Sequence, residues 1–449
     1  MHQLLPDTTT RALRYLASLS ARSVTPSPEA IARLADFETP LPAEPNHPAE
    51  TLRLLDEVGS PATTATAGSR YFGFVTGGAL PATLAANWLA STWDQNSALH
   101  RAAPATAVIE AVALRWLLDV LHLPPTAKGA FVTGATVANI CALAAARHTL
   151  LKRAGWDVEA DGLFGAPPIT VIVGSEIHPS VTKALGVLGL GRNRVVKIPV
   201  DTQGRLRAEL LPTLSGPTII IAQAGNVNTG ACDPMAAICR HAHAAGAWVH
   251  VDGAFGLWAA AAPSLSHIVA GVAEADSWAS DAHKWLNVPY DCGLAFVRDP
   301  LALQAAMAIT AAYLPTEGAE RNPADFTPEL SRRARGVEVW AALHSLGRKG
   351  VAELIERNCT LARRFAAQLS AAGLEILNDV VLNQVLVTFG DAERTKCVIS
   401  AIQAEGTCWA GITIWQARTA MRISVSSWAT TEADVDQSVA AILRVNGSL

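Results

Sequence analysis

Residues 275–297 read ADSWASDAHKWLNVPYDCGLAFV and place Lys284 on a short polar turn between two apolar runs. At the mouth of a sheet such an amine is desolvated, which lowers its pKa and readies it as a nucleophile toward a carbonyl carbon. Seven lysines stand against 28 arginines, so few residues compete for that role. Taken alone, Lys284 reads first as a lysine that snorkels to the surface beside a core strand, and its neighbours overturn that reading. Other reactive types occupy comparable places. Asp252 follows WVHV directly, and a carboxylate at a buried strand end is costly without a cationic partner. His178 follows VIVGSEI, and Asn226 follows IIIAQAG. Gly134, Ala135 and Thr136 follow AFVT and open the helical run VANICALAAAR, where free backbone N–H groups form an anion site. Each also has a structural reading: a turn cap for Asp252, a satisfied core histidine for His178, a tight strand–helix connection for Gly134–Thr136.

The elements that must position these groups are legible from about residue 67. Short β-branched runs, ITVIVG (169–174), RVVKIPV (194–200), TIIIAQAG (218–225), WVHVDGAF (248–255) and CGLAFV (292–297), alternate with alanine-rich helical stretches. Continuous apolar strands alternating with helices predict a parallel sheet buried on both faces. Ligands bind such a sheet beyond the carboxyl ends of its strands, which is where the residues above stand. Before this block, a helix is expected over 7–22, followed by the proline-rich stretches VTPSP and PLPAEPNHP. After about 350 the order becomes helix, strand (LNQVLVTF), helix, strand (MRISVSSW) and helix, a smaller α+β domain. The expected boundaries are 1–66 for an N-terminal segment, 67–348 for the large domain and 349–449 for the small one.

Composition narrows the function. The chain has 449 residues, half of them apolar and 16% charged, which excludes a disordered protein. A net charge of −4 argues neither for nucleic acid nor for an anionic membrane surface. No apolar run approaches the roughly 18 residues of a spanning helix. The N-terminal MHQLLPDTTTRALRYL lacks the pattern of a secretory signal. The seven cysteines form no CxxC pair, so a reducing cytoplasm and no structural metal are expected. A nucleophilic lysine, a buried carboxylate, a stacking imidazole and a phosphate cradle are together the parts that pyridoxal phosphate requires.

The segments TGATVAN, SEIHPSV, AGNVNTGACDP, HVDGAFG, SWASDAHKWLNVPYDCG and LSRRARGVEVWAAL resemble the group II pyridoxal-phosphate decarboxylases, in order and spacing, over roughly residues 70–345. The upstream YFGFVTGGALPATLAANWLASTWDQN is similar to that family's substrate-access segment. The resemblance implies an aminotransferase-like fold of type I, with a mostly parallel seven-stranded sheet and a smaller C-terminal α+β domain. It implies a homodimer with shared active sites and an amino-acid substrate that loses CO₂. It makes Lys284 the Schiff-base lysine, Asp252 the partner of the pyridine N–H, Ala254 a contact of the ring and His178 the group stacked on its other face. Gly134, Ala135 and Thr136, with Asp281 and Ser277, would handle the phosphate. His283 falls where the family also has histidine, and Asn226 replaces a threonine usual near the cofactor.

Two features depart from the pattern. A loop before the RR-x-R stretch often supplies the family's proton donor as a tyrosine, yet residues 314–333 contain none. The four tyrosines are Tyr15, Tyr71, Tyr290 and Tyr313. Either His178 or Tyr71 donates the proton instead, or the substrate carbanion is oxidised, as in the family's aldehyde synthases. A carbon–carbon lyase and a non-catalytic cofactor-binding protein are the remaining alternatives. Arg422, in MRISVS, is read as structural rather than as a carboxylate clamp. Trp88, Trp93, Trp285 and Trp340 are read as core. Phe72, Phe74 and Trp93 point to an apolar or aromatic substrate.

Overall fold

The computed structural model describes residues 3–309 and 320–449. Its main feature is a seven-stranded sheet in the order β1-β7-β6-β5-β4-β2-β3. The strands are β1 (Lys128–Val132), β2 (Thr170–Gly174), β3 (Val195–Ile198), β4 (Thr218–Gln223), β5 (Trp248–Asp252), β6 (Ser277–Asp281) and β7 (Gly293–Val297). Strands β3, β2, β4, β5 and β6 run parallel, and β7 is antiparallel to both β6 and β1. The mostly parallel α/β architecture expected from the alternating runs is therefore present.

Helices cover this sheet, so β4, β5, β6 and β7 are buried along their whole length. That is why they read as continuous apolar strings rather than as alternating ones. Within β5 the alternation is chemical instead. Val249 and Val251 occupy one face, while Trp248, His250 and Asp252 occupy the other. The edge strand β1 turns two carbonyls outward, and both are capped by guanidinium groups. Arg321 Nη2 donates to Gly129 O at 2.6 Å, and Arg332 Nη2 donates to Phe131 O at 2.8 Å. An open hydrogen-bonding edge is thereby closed.

The chain divides into two compact units: residues 77–360 with 378–384, and residues 1–76 with 361–377 and 385–449. The first carries the seven-stranded sheet. The small sheet has the order β10-β11-β9-β8, with β8 (Glu375–Ile376), β9 (Gln384–Thr388), β10 (Gly411–Trp415) and β11 (Arg418–Ser424). The β10–β11 hairpin turns through Gln416 and Ala417, both at positive φ (44° and 66°). The N-terminal helix spans Leu4–Ser18, starting before the expected residue 7, because Pro6 sits in the first turn, where its missing N–H costs nothing.

The tryptophans divide. Trp285 is fully buried, but Trp88 and Trp93 are 39% and 42% exposed on the helix Pro81–Trp93. Their expected place in the core is corrected by the packing of that helix, whose single buried residue is Thr83.

Candidate active site

Lys284 lies on the turn after β6, with its side chain mostly covered and Nζ 3.0 Å from Asp281 Oδ2. The other six lysines are all exposed. The turn is held from several sides. Ala282 N and His283 N both reach Cys292 O, at 3.0 and 3.3 Å, and Cys292 N donates to His283 Nδ1 at 3.1 Å. Burial pushes the His283 imidazole below its ordinary pKa, opposed by the Asp281 carboxylate. The ring of Tyr290 rests against it, with centroids 4.2 Å apart.

Asp281 joins the lysine turn to the helix Ala135–Arg153, since its Oδ1 accepts from Ala135 N at 2.6 Å. A carboxylate thus already sits at this helix N-terminus, where a negative charge is favoured. Ala138 N bonds Gly134 O, which leaves the N–H groups of Thr136 and Val137 without partners inside the helix. Thr136 was expected here, whereas Val137 offers only its backbone, which no side-chain type announces.

Asp252, at the carboxyl end of β5, is 4% exposed. Its Oδ1 accepts from Ala254 N at 3.2 Å, and its Oδ2 faces Ser180 Oγ and Asn139 Nδ2, each at 3.4 Å. All three donors are neutral, and no cation pairs with it among the described residues. A buried carboxylate served only by neutral donors is poised for a cationic N–H. His178 caps the helix Pro179–Val187, with Nδ1 taking Ser180 N at 3.2 Å and lying 2.7 Å from Ser180 Oγ. The imidazole and the carboxylate therefore share Ser180. Asn226 uses Oδ1 to accept the N–H groups of Asn228 and Thr229, at 2.9 and 3.3 Å, and its buried Nδ2 has no partner among the described residues. An orphaned buried donor and a carboxylate without a cation are features that pyridoxal phosphate, with its ring oxygen and ring nitrogen, would satisfy.

Not every expected residue joins this group. Ser277 starts β6, four residues and roughly 13 Å along the strand from Asp281. Its hydroxyl is engaged by Trp248 Nε1 at 2.8 Å and His250 Nδ1 at 2.9 Å, so the fold does not bring it to the phosphate turn. Asn139 and Ser180, which no strand-end signal marks, do face Asp252. Tyr71, Phe72, Phe74 and Arg422 belong to the other compact unit. There Tyr71 stacks on Trp409 at 5.0 Å, and burial pulls the Arg422 guanidinium below its usual pKa. Tyr313 and residues 314–319 of the tyrosine-free segment lie outside the described residues.

Two glycines let the backbone close on the site. A Cβ on Gly293 would lie 2.4 Å from Gly134 C, and one on Gly77 would lie 2.1 Å from Lys284 O. Because both obstacles are backbone, Gly293→Ala must displace the Gly134 turn. We expect the variant to fold yet bind pyridoxal phosphate about tenfold more weakly or worse, equivalent to ~1.4 kcal/mol, in an absorbance titration. Unchanged affinity would separate this turn from the phosphate.

A family model described as the pyridoxal-dependent decarboxylase conserved domain matches residues 44–390. An aromatic-L-amino-acid decarboxylase of Bacillus atrophaeus is 28% identical over 345 residues, covering 74% of this chain and 69% of that protein. A phenylacetaldehyde synthase of a Rosa hybrid cultivar is 28% identical over 282 residues, covering 58% of this chain and 54% of that protein. Among solved structures, Oryza sativa TDC with PLP and tryptamine superposes with a TM-score of 0.91 at 23% identity, covering 99% of this chain and 97% of that one. At that identity the likeness speaks for the fold.

Proposed function

The chain belongs to the pyridoxal-dependent decarboxylase family, and from that membership we propose that it removes the α-carboxylate of an apolar or aromatic L-amino acid, giving the amine and CO₂. The observation that carries this reading is Asp252: a buried carboxylate met only by neutral donors, on the same sheet whose β6 leads into the Lys284 turn. Bound pyridoxal phosphate supplies an aldehyde that condenses with primary amines and a ring that accepts the electron pair of a breaking Cα bond.

The chain's residues then divide the work. Lys284 would provide the resident amine, which Asp281 holds at 3.0 Å. Asp252 would hold a proton at the pyridine nitrogen, where a positive charge draws electrons most strongly. His178 would cover one ring face and Ala254 the other. The N–H groups of Thr136 and Val137 would donate to the phosphate at the helix N-terminus. Asn226 Nδ2 is left to donate to the ring oxygen. The apolar substrate class is supported by the aromatic-amino-acid decarboxylase among the relatives. A homodimer is supported by family membership and by the exposed Trp88, Leu89 and Trp93 of one helix. A cytoplasmic setting is supported by seven unbridged cysteines.

One specific observation favours a second reading. Residues 314–333 hold no tyrosine, and a phenylacetaldehyde synthase is among the relatives. The discriminating experiment offers a panel of L-amino acids, with added pyridoxal phosphate, in air and without oxygen. Simple decarboxylation gives amine and CO₂ in equal amounts in both atmospheres. Aldehyde with H₂O₂ that appears only in air, in place of amine, establishes the oxidative outcome instead.

A further inference from the structure

A column of polar side chains runs along the buried face of β5 and ends at Asp252. Trp248 Nε1 donates to Ser277 Oγ at 2.8 Å. Ser277 Oγ lies 2.9 Å from His250 Nδ1, and His250 Nε2 lies 2.8 Å from Asn139 Oδ1. Asn139 Nδ2 then faces Asp252 Oδ2 at 3.4 Å and Ser180 Oγ at 3.5 Å. Asn139, His250 and Ser277 are completely buried.

Only one pattern of hydrogens satisfies every link. An indole N–H only donates, so Ser277 Oγ accepts from Trp248 and has one proton to give. Given to His250 Nδ1, that proton fixes the tautomer with hydrogen on Nε2. Nε2–H then donates to the amide oxygen of Asn139, which turns the amide NH₂ toward Asp252. From the other end, a carboxylate oxygen 3.4 Å away accepts only from the NH₂ side of an amide, which demands the same orientation. Both ends select one arrangement. Burial supports it by pulling the His250 pKa down to about 3, so the ring stays neutral.

We propose that His250 and Asn139 are positioning residues that lock a donor onto Asp252 and thereby set how strongly its carboxylate holds the proton of the bound pyridine ring. This rests on the decarboxylase reading above. The donor withdraws charge from one carboxylate oxygen, which keeps the shared proton on the ring nitrogen. Without it the carboxylate becomes more basic, the proton shifts toward Asp252, and the ring attracts electrons less.

The test uses the full chain loaded with pyridoxal phosphate and reads the pH midpoint of the cofactor's visible absorbance, kcat, KM and the melting temperature. His250→Phe is expected to lower kcat about 10–100-fold, as loss of a reactive group's outer partner does, with KM little changed and the absorbance midpoint raised. His250→Gln, which keeps an N–H in place, should recover part of both effects. Ser277→Ala removes only the far end of the column and should move the midpoint less, in the same direction. If His250→Phe does not fold, Ser277→Ala decides. A midpoint and kcat equal to wild type in a loaded variant overturn the relay, as does a fall in melting temperature and cofactor content with no midpoint change. A wild-type chain that shows no visible band overturns the decarboxylase reading and the relay together. A wild-type band with unmoved variants overturns the relay alone.

Discussion

Lys284→Ala is expected to abolish both the visible absorbance of bound cofactor and turnover, with kcat reduced roughly 10³-fold or more. Chemistry and geometry both argue for a loss of this size. No other lysine can substitute, since the remaining six are exposed and Lys284 alone is mostly covered. Its amine is also already oriented, because Asp281 holds Nζ at 3.0 Å while gripping Ala135 N at 2.6 Å. Removing the side chain leaves Asp281 its backbone donor, so the fold should survive and the melting temperature of the cofactor-free chain should change little. A small primary amine added to the medium should restore a fraction of turnover, which misfolding would not permit. Retention of the visible band in Lys284→Ala would overturn the assignment of this lysine and the cofactor site built on it.

The sequence shows the ends of strands better than it shows what their faces touch. Asp252, His178, Asn226 and the Gly134–Thr136 turn are legible because polar or small residues at or within a few positions of the end of an apolar run mark the carboxyl end of a buried strand. Asn139 was hidden because VANICALAAAR reads as a uniformly apolar helix, and nothing local says that one turn of it meets His250 and Asp252. Ser277 was misplaced for a related reason. Both ends of SWASD carry a polar residue, and only strand direction puts Asp281, not Ser277, at the ligand end. Gly293 carries no local turn signal, and the Gly77–Gly78 pair signals only a turn, since the need of both Gly77 and Gly293 is a backbone neighbour from elsewhere in the chain. The β10–β11 hairpin went unread because its turn is Gln416–Ala417, in place of the Asn-Gly or Asp-Gly usual where both central residues take positive φ.

Removing one buried charge should cost the large unit more than any exposed ion pair can. Glu110, 1% exposed on the helix Pro104–Val120, receives Arg332 Nη1 at 2.8 Å and Arg321 Nη1 at 3.0 Å. Arg332 is itself buried and also donates to Ser97 O at 2.9 Å and Phe131 O at 2.8 Å. The two guanidinium groups that close the edge of β1 are therefore held by a single carboxylate, and neither Nε has a partner among the described residues. Glu110→Gln preserves shape but strands two positive charges, one of them in the interior. Breaking a buried pair in this way costs about 3–5 kcal/mol, because the remaining charge is neither solvated nor neutralised. The measurable result is a much lower urea midpoint, followed by tryptophan fluorescence, with an early loss of cofactor binding, since β1 leads directly into the Gly134 turn. The contrasting variant is Glu375→Gln, which breaks an exposed pair with Arg418 and should leave the midpoint within experimental scatter. Equal effects of the two substitutions would show that Glu110 is solvated in the folded chain and that the edge of β1 is held by its neighbours rather than by this triad.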